Sequence, residues 1–223
     1  MTDARFQVNV ERPEIQPRFS MMALTLHETV PGHHLQYTYA ISRQLPEFRK
    51  GRDYRRIFGA PLLFPVYTAY DEGWALYSEY LGEEMGVYRD SYELFGRNSE
   101  EMLRAVRLVV DTGLHLFNWS RSEAMDYMSD NTCLGVEDIA EEVDRYLTWP
   151  GQACAYKIGE LKIKELRRLA ESRLGDLFDV KKFHDTVLSL GAVPLCILET
   201  EVTEWIEETL RPEKEDTDDS DYD

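Results

Sequence analysis

Cysteine is scarce in this chain. Cys133, Cys154 and Cys196 are an odd number, set far apart and without a C-x-x-C pair. That excludes a disulfide framework and a cysteine-ligated metal site, and leaves buried thiols in a reducing compartment as the expectation. No stretch reaches the ~20 consecutive apolar residues that span a bilayer, and residues 1–19 hold no apolar signal region. A soluble, cytoplasmic protein with no membrane partner is expected on those grounds. Basic residues are also few: 25 Lys and Arg against 42 Asp and Glu leave a net charge of −17. Nucleic acid is thereby excluded as a partner, because phosphate binding needs a basic surface. Period-two alternation is missing as well, and with it any substantial sheet.

What remains is ample material for a helical core. Hydrophobic residues make up 43% of 223 positions, enough for one globular domain. Leu103, Val106, Val110, Leu114 and Phe117 recur every three to four residues, predicting a long buried helix over 99–119. Similar patterns predict helices over 67–85, 136–147, 151–174, 180–190 and 194–210. Another, over 120–128, opens on a capping box formed by Ser120 and Glu123. Gly86 and the Phe95-Gly96 pair read as turn markers. The class is all-α, a multi-helix lobe. We divide it into an extended segment (1–18), a helical domain (19–210) and an acidic, disordered tail (211–223) holding seven acidic and two basic residues. Residues 48–65, basic and then apolar, suit a loop passing over a site.

The stretch with most chemistry is 21–37, MMALTLHETVPGHHLQY. An apolar lead-in delivers His27 and Glu28 towards the interior, and burying an imidazole beside a carboxylate is costly unless both are paired or bound to a cation. Zinc hydrolases commonly place two histidines on one short segment, with a glutamate beside the first as general base. The spacing differs from H-E-x-x-H. On an unbroken helix His33 would lie roughly 120° round from His27, while His34 would be within about 20° but roughly 10 Å further along. Pro31 argues against an unbroken helix, and Gly32 permits a bulge that swings His33 back towards His27. Spacing alone leaves His33 and His34 both open as the second ligand.

H-E-x-x-P-G-H-H-L-Q, followed about forty residues later by E-G-W-A-L-Y-x-E, resembles the bacterial domain-of-unknown-function 885 family. The likeness extends from about residue 9 to 205 through R-L-V-V-D-T-G-L-H, W-S-R, W-P-G-Q-A-x-A-Y-K-I-G and F-H-D-x-V-L. That resemblance implies a gluzincin-like zinc metallopeptidase with a helical, zincin-like catalytic lobe, distantly similar to the angiotensin-converting-enzyme group. It implies zinc, one ion per chain, held by His27, His33 and Glu72, and it selects His33 over His34. It also implies a helical N-terminal lobe or partner chain completing the cleft.

The remaining roles follow from chemistry beside that likeness. Glu28 is expected as general base, buried because its flanking helix faces are apolar. Tyr156, in a segment similar to a tyrosine-rich one of related peptidases, is expected to donate to the developing oxyanion. Asp71 could hold a histidine N–H, Gly73 could admit a neighbouring backbone or substrate, and His34, Gln152 and Lys157 are candidates for substrate binding. His115 and His184, in apolar helical surroundings, read as structural. The function expected is hydrolysis of peptide substrates. The competing expectation is a helical binding module that keeps the family core without turnover.

Overall fold

The computed structural model describes residues 17–46, 49–50 and 67–211. The extended segment expected before residue 17, the loop expected over 48–65 (apart from Arg49 and Lys50) and the tail after Arg211 lie outside the described residues. Within them every regular element is helical and no strand occurs. A 3-10 turn at Arg18–Ser20 leads into α1 (Met21–Glu28) and α2 (His33–Ser42). Then come α3 (Thr68–Glu84), α4 (Ser91–Leu116), α5 (Arg121–Asn131), α6 (Val136–Thr148), α7 (Gln152–Leu174), α8 (Val180–Ser189) and α9 (Leu195–Leu210).

The central element is α3. Tyr70, Trp74, Tyr77 and Leu81 give it one apolar face, while Ala75, Leu76, Ser78 and Glu79 are buried on the others. A helix enclosed on nearly all sides needs neighbours all round, and α1, α2 and α7 supply them. The crossing with α7 is a backbone contact. A Cβ at Gly159 would stand 1.8 Å from the Ala69 carbonyl oxygen, and one at Gly73 would stand 2.4 Å from the Gly159 Cα. Gly73 therefore admits a neighbouring backbone rather than substrate.

Two apolar clusters flank that crossing. One joins α3 and α7 to α8 and α9 through side chains such as Trp74, Ile163, Phe183 and Val202. The other joins α4, α5 and α6 through Leu103, Val110, Met128 and Val143. Phe183 and Val110 are fully enclosed, and each such side chain stabilises the fold by about 1.5–3 kcal/mol relative to exposure.

The helix expected from Ser99 begins at Ser91. Asp90 caps it, its carboxylate accepting from the amides of Tyr92 and Glu93 at 3.0 and 2.9 Å. Gly96 lies inside this helix instead of in a turn, because the Phe19 carbonyl oxygen lies 1.8 Å from where a Cβ would stand. The capping box of Ser120 and Glu123 is formed as the sequence predicts. The start of α7 is set by Gly151, at φ 82°, whose amide donates to both oxygens of Asp111 at 3.1 and 3.0 Å.

Candidate metal centre

His27 and His33 stand on different helices. α1 ends at Glu28, and the turn through Pro31 and Gly32 folds back on it, with the Gly32 amide donating to the Leu26 carbonyl at 3.0 Å. Gly32 is required at that point, since a Cβ would stand 1.9 Å from the His27 carbonyl oxygen. The Trp74 indole N–H, from α3, donates to the Pro31 carbonyl at 2.8 Å and fastens the turn. The result brings the two imidazole rings to 4.9 Å between centres, nearly perpendicular. His34 is exposed on the first turn of α2.

Glu72 completes a cluster. Its Oε2 lies 3.5 Å from His27 Nε2 and 3.3 Å from His33 Nε2, and one donor atom from each of the three residues lies within 4.8 Å of the others. Ligands about 2.0–2.1 Å from a tetrahedral zinc stand about 3.3 Å from one another, close to the two distances from Glu72 to the histidines. Three protein donors also leave a fourth position, the arrangement of catalytic rather than structural sites.

Both histidines are oriented through their other nitrogen. His27 Nδ1 lies 2.7 Å from Glu79 Oε1, and His33 Nδ1 lies 3.2 Å from Gln36 Oε1. Neither partner is the Asp71 expected from the sequence. Asp71 is buried near His33 with its carboxyl pushed up to about 7, chiefly by burial. Glu79 was readable only as a solvated helix position, yet it is almost fully enclosed. The available signal was its spacing: seven residues after Glu72, two helical turns on, it shares the ligand's face. Arg104 Nη2 stands 3.7 Å from Glu79 Oε1, while Glu79 Oε2 has no hydrogen-bond partner among the described residues.

The electrostatics are those of a cation site. Burial pushes the His27 imidazole down, but hydrogen bonds from Glu72 and Glu79 outweigh it and raise it to about 9. Burial pushes the Glu72 carboxyl up, and the two histidines reverse that, holding it well below the usual carboxylate range. His27 thus stands between two carboxylates, those of Glu72 and Glu79.

The other expected residues are less uniform. Glu28 is exposed at the end of α1 rather than buried, because Ala23, Leu26 and His27 carry the inward face. Tyr156 is buried, its ring 6.3 Å from that of His27, and its hydroxyl accepts from Arg145 at 3.1 Å. Gln152 Oε1 accepts from Arg145 at 2.5 Å. Lys157 pairs with Glu101 of α4 at 2.5 Å and with Glu160 of its own helix at 2.6 Å. His184 Nε2 lies 2.9 Å from the Tyr77 hydroxyl, and His115 Nε2 lies 2.9 Å from the Tyr146 carbonyl, both structural contacts. A separate cavity of about 500 Å³ lies by Arg18, Met22, Arg89 and Tyr92, lined by none of the cluster residues.

The model of the family described as "Bacterial protein of unknown function (DUF885)" matches residues 2–202. A solved structure titled "putative lipoprotein" from Colwellia psychrerythraea superposes with a TM-score of 0.82 at 44% identity, over 90% of this chain and 32% of that one. A second, from Shewanella oneidensis, titled a "putative lipoprotein of unknown function", gives 0.68 at 23% identity, over 82% and 31%. This chain thus spans about a third of the length of these solved relatives. No curated protein matches it.

Proposed function

The chain belongs to the bacterial DUF885 family, and we propose that it forms the zinc-binding catalytic lobe of a gluzincin-like metallopeptidase. One observation carries the reading: His27, His33 and Glu72 present three donor atoms within 4.8 Å of one another, with Glu72 3.5 and 3.3 Å from the two histidines. A bound zinc would supply Lewis acidity, polarising a carbonyl and making a water acidic. Glu28, exposed and next to a ligand, takes a proton from the attacking water and returns it to the leaving amine. Tyr156 donates its hydroxyl hydrogen to the carbonyl oxygen as charge develops there. Its oxygen already accepts from Arg145, which leaves that hydrogen free for substrate. His34 is available to contact the peptide.

The relatives' greater length supports a further lobe, or a partner chain, that completes the cleft. No helix among the described residues is long and apolar enough to cross a membrane. The lipoprotein titles of the two solved relatives support an envelope-anchored full-length protein over the cytoplasmic location expected from composition, and cell fractionation separates the two.

Metal analysis of purified protein should find about one zinc per chain, lost in His27→Ala and His33→Ala. Glu28→Gln should keep the zinc and lose roughly 10²–10⁴-fold in chelator-sensitive peptide cleavage. A natively folded, metal-free wild type would overturn the proposal. Bound zinc without cleavage, even in a protein of the relatives' length, would favour the binding-module reading.

A further inference from the structure

Three guanidinium groups converge on Tyr156, and neither metal binding nor proton transfer at Glu28 uses them. Those of Arg104, Arg107 and Arg145 lie 5.7, 4.6 and 6.0 Å from the centre of its ring. The carboxylates beside them do not balance them. Glu142 is shared, accepting from Arg107 at 2.7 Å and from Arg145 at 3.1 Å. Glu100 and Glu79 both pair with Arg104, and Glu79 also pairs with His27. Arg107 and Arg145 therefore share the single carboxylate of Glu142, a local positive excess within a chain of net charge −17.

Two features direct that excess towards a ligand. The Arg107 side chain is only 6% exposed, and its Nη1 has no hydrogen-bond partner among the described residues. An unmade hydrogen bond there costs on the order of 1–3 kcal/mol. Arg145, by contrast, is 29% exposed, with Nη2 beside Gln152 Oε1 and the Tyr156 hydroxyl. The N-terminus of α7 adds no anion site of its own, since Asp111 accepts the Gly151 amide.

We propose that Arg145, backed by Arg107 and Gln152, binds the free terminal carboxylate of a peptide. A planar guanidinium matches that group in shape and charge. The assignment rests on the peptidase reading and narrows its substrate class. Tyr156 is near both the anchor and the metal centre, its hydroxyl 3.1 Å from Arg145 Nη2 and its ring 6.3 Å from that of His27, and two extended residues reach about 7 Å. Cleavage would then fall within the last residues of the peptide, and the enzyme would act from the C-terminus.

Calorimetry on the full chain tests this with three capped dipeptides: acetyl-alanyl-alanine, its C-terminal amide, and acetyl-aspartyl-alaninamide. The free acid should bind at least roughly tenfold tighter than either amide, the scale of one hydrogen bond to a charged group. Arg145→Gln should close the gap and Arg145→Lys should keep part of it, with circular dichroism confirming both folds. Chelator-treated wild type should retain the preference. Equal binding of acid and amide by wild type overturns the anchor. So does a preference that survives Arg145→Gln, or an aspartyl peptide that binds as tightly as the free acid. Lack of preference beside stoichiometric zinc defeats the anchor alone. A preference in a wild type that binds no zinc defeats the peptidase reading alone.

Discussion

A histidine that ligates through one nitrogen is held in place through the other, and for the proposed ligand His27 that hold is Glu79. Glu79→Gln should therefore leave the fold intact and weaken zinc affinity by about 10–100-fold in competition with a chromogenic chelator. Unchanged affinity would remove Glu79 from the centre. A second histidine has the opposite temperament. Arg167 donates to the Tyr77 hydroxyl at 3.0 Å, and His184 Nε2 lies 2.9 Å from the same oxygen. Burial lowers His184 to about 4, helped by Arg167 and opposed by Glu84. The unfolded chain then binds the extra proton first. Stability is complete above about pH 6.5 and falls by up to about 3 kcal/mol as pH drops towards 4. Urea midpoints across that range should fall more in wild type than in His184→Gln, which offers Tyr77 a partner that does not titrate. Parallel slopes would exclude this role. At this scale the sequence disclosed the residues whose chemistry is unusual, His27, His33 and Glu72. It hid Glu79 and Gln36, because a lone glutamate or glutamine on a helix reads as surface until the neighbouring helices are placed.

Elements were legible where their periodicity was strong and obscure where a glycine served packing. Gly73 carried its signal, since no side chain fits where α3 meets α7. Gly96 misled, because a glycine inside a helix and one in a turn look alike until Phe19 is seen against it. The α3–α7 crossing has a direct test. Gly159→Ala would force a methyl against the Ala69 carbonyl, and overpacking of this kind costs typically about 1–3 kcal/mol. Helix propensity gains about 1 kcal/mol from the same change, so the steric term decides the sign. A lowered denaturation midpoint is expected, and a raised one would mean that the two backbones separate easily. Gly175→Ala makes a useful contrast, because its surroundings are open but its φ of 51° is strained for a side chain.

For the molecule as a whole, the proposed ion ties α1 and α2 to α3, so it binds the folded chain and not the unfolded one. At free zinc 100 times the dissociation constant, that linkage is worth about 2.7 kcal/mol, or roughly 5–10 °C in Tm for a domain of this size. Chelator should lower the wild-type Tm by that amount and leave His27→Ala unmoved. Equal shifts in both proteins would mean that the effect arises away from the cluster. The break at Pro31 and Gly32 has its largest consequence here. α1 packs against α3 and α4, whereas α2 packs against α3 and α8, so the chain changes neighbours between its two histidines. Excising those two residues would leave His-Glu-Thr-Val-His, the uninterrupted helical zinc motif. The pair thus behaves as an insertion that separates where the two imidazoles meet from where the chain goes, so that one cluster draws on helices with different neighbours.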